Sequence, residues 1–213
     1  MTRAKELVRR YKTKYPRDPS QWSISASTRA AQSVTLRPLQ AAGQDVSDED
    51  IERLTEWRNH NCQYFLTDFI TTPQRTRNWV ISIAGPDLSR ILFLLDTADG
   101  VTFGHVGLCN IDEGRSYCEL DNIVRGSGGP KGAMAAAVEA LSRWTLETLR
   151  LEHLWVRVIA DNPAVSFYER LGFQFVKDVP LVRHADGPNI MRWQEAHGPA
   201  ATTERYLRYM ALR

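Results

Sequence analysis

The chain has 213 residues, 43% of them hydrophobic and 24% charged, which is ordinary for one soluble domain with a full core and short appendages. No apolar run approaches a membrane span, and Met1 to Leu7 lacks the apolar segment of a secretory signal, so a cytoplasmic protein without membrane contact is expected. The net charge is +2, but residues 1–32 hold eight Lys or Arg against Glu6 and Asp18, leaving 19 basic and 23 acidic residues beyond. A basic stretch can serve nucleic acid or an acidic surface. Here two acids interrupt it and aromatics are few, so a packed or solvated helix is favoured and nucleic acid disfavoured. Cys62, Cys109 and Cys118 are scattered without metal-ligand spacing, which predicts reduced thiols and no metal site.

In chain order, residues 3–14 suit an amphipathic helix with Leu7 and Tyr11 one turn apart, and Ser20 to Ala31 is a Ser/Thr/Ala-rich linker. Ser33 to Leu39 alternates as a first strand. Ser47 can cap a helix, with Asp50 three residues on and Ile51, Leu54 and Trp57 on one face. Pro73 opens a second helix toward Ile83, closed by Gly85-Pro86. Three strands follow, Arg90 to Leu95, Thr102 to Asn110 and Tyr117 to Val124, with Asp99-Gly100 and Glu113-Gly114 as turns. Pro130 then opens a long helix carrying Met134, Ala137, Val138, Leu141 and Trp144 at helical spacing. His153 to Ala160 is a strand, and 163–171 is a short helix stopped by Gly172. Strands near 173–182 and 189–196 form a hairpin. Residues 197–213, with Tyr206, Leu207, Tyr209, Met210 and Leu212, suit a helical tail packed on a partner surface, and a homodimer is one way to cover it. The expected division is thus 1–32, 33–196 and 197–213, with an α/β fold built on a mixed, mostly antiparallel central sheet.

Two segments carry chemistry. In Gly126-Ser127-Gly128-Gly129-Pro130-Lys131-Gly132-Ala133-Met134, the glycines Gly128, Gly129 and Gly132 bare the backbone amides, Lys131 adds charge, and a helix N-terminus follows. That composition favours phosphate. It fits neither a dinucleotide fingerprint, where Lys131 would be Gly, nor a triphosphate loop, which needs Gly-Lys-Ser/Thr. The second segment is Asn162-Pro163-Ala164-Val165-Ser166-Phe167-Tyr168-Glu169-Arg170-Leu171-Gly172-Phe173. Asn162 would be its N-cap, and Tyr168 shares a face with Ala164 and Leu171.

These two segments, in this order and spacing, resemble the GNAT superfamily of acetyl-CoA-dependent N-acetyltransferases over about residues 33–196. The family's pyrophosphate loop reads Gln or Arg, two residues, Gly, one residue, Gly or Ala. Gly129-Pro130-Lys131-Gly132-Ala133-Met134 keeps the central glycine and departs at both outer positions. The resemblance implies a mixed α/β sheet, acetyl-CoA as acyl donor with its diphosphate on Gly128 to Met134, and Asn162 on the pantetheine arm. It also implies oxyanion stabilisation by amides near Ile123 and Val124. Tyr168 would protonate the leaving thiolate; a phenol near pKa ~10 stays protonated where a thiol near ~8.5 ionises.

Alternation puts Tyr117, Glu119, Asp121 and Ile123 on one strand face. Two carboxylates on one face of a central strand are costly unless they serve chemistry or lie at a split in the sheet. The resemblance casts Glu119 as a general base acting through water, ahead of Asp121, which is kept as an acceptor contact. His105 and His60 are further bases by residue type, although a lone histidine is more often hydrogen-bonded structure. For the acceptor, Arg58, Asn59 and Trp79 resemble the first helices of branches that modify sugar nucleotides or protein N-termini. The expected acceptor is a small-molecule primary amine on a nucleotide-linked amino sugar, as in pseudaminic acid synthesis. Its alternatives are a protein N-terminus, an aminoglycoside, or CoA binding without turnover.

Overall fold

A computed structural model describes the chain apart from residues 16, 41–45, 188 and 197–202. Its elements are α1 (Arg3–Lys14), β1 (Ile24–Ser27), β2 (Ser33–Pro38), α2 (Asp48–His60), β3 (Thr67–Asp68), α3 (Pro73–Trp79), β4 (Ile91–Thr97), β5 (Thr102–Asp112) and β6 (Tyr117–Arg125). They continue with α4 (Ala133–Trp144), β7 (His153–Ile159), α5 (Val165–Arg170), β8 (Phe173–Ala185), β9 (Met191–Glu195) and β10 (Arg205–Leu212). All ten strands join one sheet in the order β1-β2-β4-β5-β6-β7-β10-β8-β9-β3. Every pairing is antiparallel except β6 with β7, so the expected mixed, mostly antiparallel sheet is observed.

Local chemistry explains the helix starts. The Ser47 side chain accepts from Asp50 N at 3.1 Å, and Thr72 accepts from Arg75 N at 3.2 Å ahead of Pro73. Each cap satisfies an amide that the first turn leaves orphaned. α1, α4 and α5 bury Val8, Leu141, Trp144 and Tyr168 with Phe93 and Leu108 on one face of the sheet. Ile51, Leu54 and Trp57 of α2 pack with Val80, Leu92, Leu94 and Val124 on the other. The basic N-terminal segment is therefore largely a packed helix. Tyr11 accepts from Trp144 Nε1 at 2.9 Å, and the fully buried Lys12 donates to the carbonyls of Ala84, Gly85 and Asp87 at 2.6, 3.1 and 2.8 Å.

Several expectations are corrected. The tail was expected to be helical; its residues 205–212 form β10 instead, inserted between β7 and β8, while 197–202 lie outside the described residues. Leu207 and Met210 are both buried, but on opposite faces of the sheet. A central strand covered on both sides produces a three-residue spacing that imitates one helix turn. The expected linker contains β1, which pairs with β2. α4 begins at Ala133 rather than Pro130, and α5 is N-capped by Ala164 rather than Asn162.

Because Met210 is fully buried in the main core on a central strand, Met210→Ala should cost about 2–4 kcal/mol. Urea unfolding measures it, and Tyr206→Ala, at an exposed position of the same strand, should cost well under half as much.

Candidate functional site

β6 and β7 run parallel but pair only from Tyr117–Leu120 to His153–Val156. β6 continues to Arg125 and β7 to Ile159, so the strands part and a wedge opens in the middle of the sheet. Backbone groups facing that wedge lack a ladder partner and are free to bind a ligand.

A β-bulge shapes the β6 wall. His105 pairs with Val124 and Gly107 with Asp121, so two steps on β5 face three on β6, and Asn122 takes φ of 50°. The extra residue reverses the alternation. Cys118 and Leu120 pack into the main core, but beyond the bulge it is Ile123 that packs against that core while Val124 joins the opposite cluster. Ile123 therefore does not share a face with Glu119 and Asp121, as strict alternation predicted. It could not be seen in sequence because a period-two count carries no warning of an inserted residue.

Past Arg125 lies the glycine loop. Gly132 sits at φ of 84° as the N-cap of α4, with no side-chain cap, and a Cβ there would meet nothing within 4 Å. The start of α4, at the positive end of the helix dipole, is thus uncrowded by side chains, although its first amide, Ala133 N, is taken by Pro130 O at 3.1 Å. A Cβ on Gly129 would come within 2.3 Å of the Phe103 ring, so glycine lets the loop lie against it. Lys131 and Gly128 are exposed. The Arg125 guanidinium donates to Gly129 O at 3.4 Å, a second cation at the loop that sequence reasoning passed over. The side chains of Ala133 and Met134 are buried, and Ala133 N donates to Pro130 O at 3.1 Å, so it is the amide of Met134 that can serve a ligand. An open, uncapped, doubly cationic cradle fits a diphosphate.

The two carboxylates of β6 are in different states. Glu119, 5% exposed, accepts from Arg157 Nε at 2.5 Å, Tyr117 OH at 2.6 Å and Asn110 Nδ2 at 2.9 Å. Burial alone would lower the Arg157 guanidinium, but the charge and hydrogen bond of Glu119 raise it above its ordinary value. Arg157 also reaches Glu195 at 3.3 Å, and Tyr209 OH donates to that same carboxylate at 2.6 Å. Asp121 instead accepts from Asn122 Nδ2 at 2.6 Å, and burial raises its carboxyl above the usual range. Tyr168, 6% exposed, has its hydroxyl pushed up by burial and, to a lesser degree, by the Asp121 carboxylate. Asn162 Oδ1 accepts from Ala164 N at 2.8 Å, closing the turn before α5.

Of the expected acceptor residues, Arg58 and Asn59 lie in the last turn of α2, just before the α2–α3 connection whose β3 pairs with β9 at the far edge of the sheet, Trp79 ends α3, and Asp121 lies on β6. Asn59 clasps Thr71, donating to its O at 3.0 Å and accepting from its N at 2.8 Å. Arg58 donates to Thr67 O and stacks on Phe65 and Phe69 at 4.1 and 4.6 Å from the ring centroids, with Arg75 at 4.2 Å from Phe69. Trp79 packs against the second core cluster. His60 is exposed, whereas His105 is buried against the bulge. Arg157, Trp155, Tyr209 and Asn110 were missed, because nothing but strand register brings them to Glu119. Among the described residues no three His, Cys, Asp or Glu side chains cluster as metal ligands, and no helix is long and apolar enough to cross a membrane.

Residues 33–174 match the family model described as the acetyltransferase (GNAT) domain. The chain belongs to that family and is an acetyl-CoA-dependent N-acetyltransferase. No curated protein matches the sequence significantly. Among solved structures, it is similar to spermidine N-acetyltransferase from Vibrio cholerae in complex with CoA and spermine, with TM-score 0.62, 16% identity, and coverage of 84% of this chain and 94% of that one. FdhC, described as a nucleotide-linked sugar GNAT, gives TM-score 0.59 at 15% identity over 89% of each chain. A GNAT-family acetyltransferase from Bacillus anthracis gives 0.61 at 15% identity over 89% of this chain and 97% of that one.

Glu119→Gln removes the charge that Arg157 is buried against, and Arg157→Ala leaves Glu119 short of its closest donor. Each should cost about 1–3 kcal/mol in urea unfolding, and the double variant should cost less than the sum of the two.

Proposed function

We propose that the chain acetylates a primary amine on a nucleotide-linked amino sugar, with the donor lying in the wedge between β6 and β7. The observation that carries this reading is the wedge itself, which begins at Asp121, just past the last paired residue Leu120, and leads along β6 to the glycine loop ahead of α4. Bound acetyl-CoA supplies the thioester. Gly128, Gly129, Lys131, Gly132 and the amide of Met134 hold its diphosphate, helped by Arg125, with Ala133 N closing the loop on Pro130 O, and Asn162 guides the pantetheine arm. The amides of Ile123 and Val124 stabilise the oxyanion.

Asp121, rather than Glu119, takes the proton from the amine. Both Glu119 oxygens are already engaged by Arg157, Tyr117 and Asn110, whereas Asp121 accepts from Asn122 Nδ2 and burial raises its carboxyl, making it a better proton acceptor than an ordinary aspartate. Glu119 orients the wall instead. Tyr168 stays protonated throughout the working range and donates toward the departing thiolate.

For the acceptor, the two guanidinium groups of Arg58 and Arg75 on Phe69 favour an anionic molecule, and Arg58 keeps one buried N–H without an acceptor. Likeness to a nucleotide-sugar enzyme supports the same class. A second reading, a polyamine, draws on Glu119 and Glu195 beside Trp155 and Tyr209. It also draws on the spermidine enzyme's similar fold.

Free-thiol release with a panel of amines decides between them. The highest kcat/KM is expected for a nucleotide-linked amino sugar; a spermidine, peptide or aminoglycoside value above it defeats the acceptor assignment. Tyr168→Phe and Asp121→Asn should each lower kcat by about 10²-fold while CoA affinity stays within about threefold. Carbon-detected NMR titration should find Asp121 protonating above the ordinary value near ~3.9, so its carboxylate is lost as pH falls through that raised point.

A further inference from the structure

His105 plays no part in the chemistry described above, yet it is 4% exposed and makes one well-defined contact: its Nδ1 lies 2.6 Å from Asn122 O. That carbonyl belongs to the residue standing at φ of 50° within the bulge. A bulge takes a peptide unit out of the strand ladder, and a buried carbonyl left without a donor is costly. The imidazole supplies that donor. A carbonyl can only accept, so the hydrogen must sit on Nδ1. Burial pushes the ring down to about 4, leaving it neutral at working pH. Trp57 backs the ring, with centroids 5.8 Å apart and planes tilted by 34°.

The same residue is engaged twice. Asn122 Nδ2 donates to Asp121 Oδ2 at 2.6 Å while its carbonyl accepts from His105. The peptide after that carbonyl carries the amide of Ile123, the first group on the wedge wall past the bulge. One imidazole therefore fixes, through a single residue, both the aim of the Ile123 and Val124 amides and the position of Asp121.

We propose that His105 is a positioning residue for acetyl transfer, holding the bulge so that the oxyanion-stabilising amides and Asp121 keep their mutual geometry. This rests on the roles assigned above to Asp121, Ile123 and Val124. It makes His105 neither a base nor a ligand for substrate, and it gives the histidine a purpose beyond filling space.

The test compares His105→Leu, which has no donor, with His105→Asn, whose amide nitrogen can take the place of Nδ1. Thiol release is measured with an accepted amine and, separately, as acetyl-CoA hydrolysis without one. His105→Leu should lower kcat by about 10²-fold with KM for acetyl-CoA within about threefold, and His105→Asn should recover at least tenfold of the loss. A full-rate His105→Leu overturns the proposal, as does a parallel fall of kcat and CoA affinity that His105→Asn fails to rescue. Should His105→Leu not fold, 15N shifts of the wild-type imidazole decide: a neutral Nδ1–H ring from pH 6 to 8 supports the assignment, and an Nε2–H ring or titration near 6.5 refutes it. Asp121→Asn, run alongside, separates the two levels. A full-rate Asp121→Asn defeats the site reading, whereas its impairment beside a full-rate His105→Leu defeats only the histidine's role.

Discussion

Two parallel strands that stop hydrogen bonding halfway along their length are the constraint around which this molecule is organised. Opening a sheet at its centre leaves amides and carbonyls unpaired in the most buried part of the fold, a cost acceptable only where something else will bind them. The walls of the opening must then be held from behind. β6 is held by β5 on its far side, with the bulge at Asn122 turning its end away from β7. β7 is held by β10 from Trp155 to Ile159, a stretch that includes Arg157 to Ile159, where β7 has left β6. The gap is open because both its sides are finished elsewhere.

The apex of the wedge is tied by charge. Glu119 faces Trp155 in the last paired stretch, and its partner Arg157 lies two residues further along β7, just where the ladder ends. The ion pair thus spans the point of divergence and takes over from the backbone as the link between strands. Two residues on, Asp121 is past that tie, held by a neutral amide and raised by burial. Carboxylates of similar chemistry, two positions apart, are thus set in different surroundings by what each strand brings opposite them.

Most of the fold was legible in the sequence, and the failures share one cause. Local signals decided the elements: Ser47 and Pro73 at helix starts, Asp99-Gly100 and Glu113-Gly114 between strands, and the unbroken apolar run Ile91 to Leu95. The glycine loop and Tyr168 stood out because backbone exposure and a helical tyrosine leave traces in composition. What stayed hidden depends on partners distant in the chain. β10 looked helical because residues buried on two faces mimic one helical stripe. The ion pair of Glu119 could not be read because Arg157 lies 38 positions away. Nor could the contacts of Asn59 with Thr71 and of Arg58 with Thr67, which depend on the path of the intervening loop.

The place of β10 also bears on how the molecule is made. β7 and β8 leave the ribosome before it, so during synthesis they must wait, each with one exposed edge and a row of unanswered hydrogen-bonding groups. The nascent chain can collapse around α4 and the first strands, but the middle of its sheet stays unfinished until this segment emerges. Translation stalled short of Arg205 would therefore release not a slightly shortened enzyme but a half-sheet with sticky borders, a natural client for chaperones and proteases.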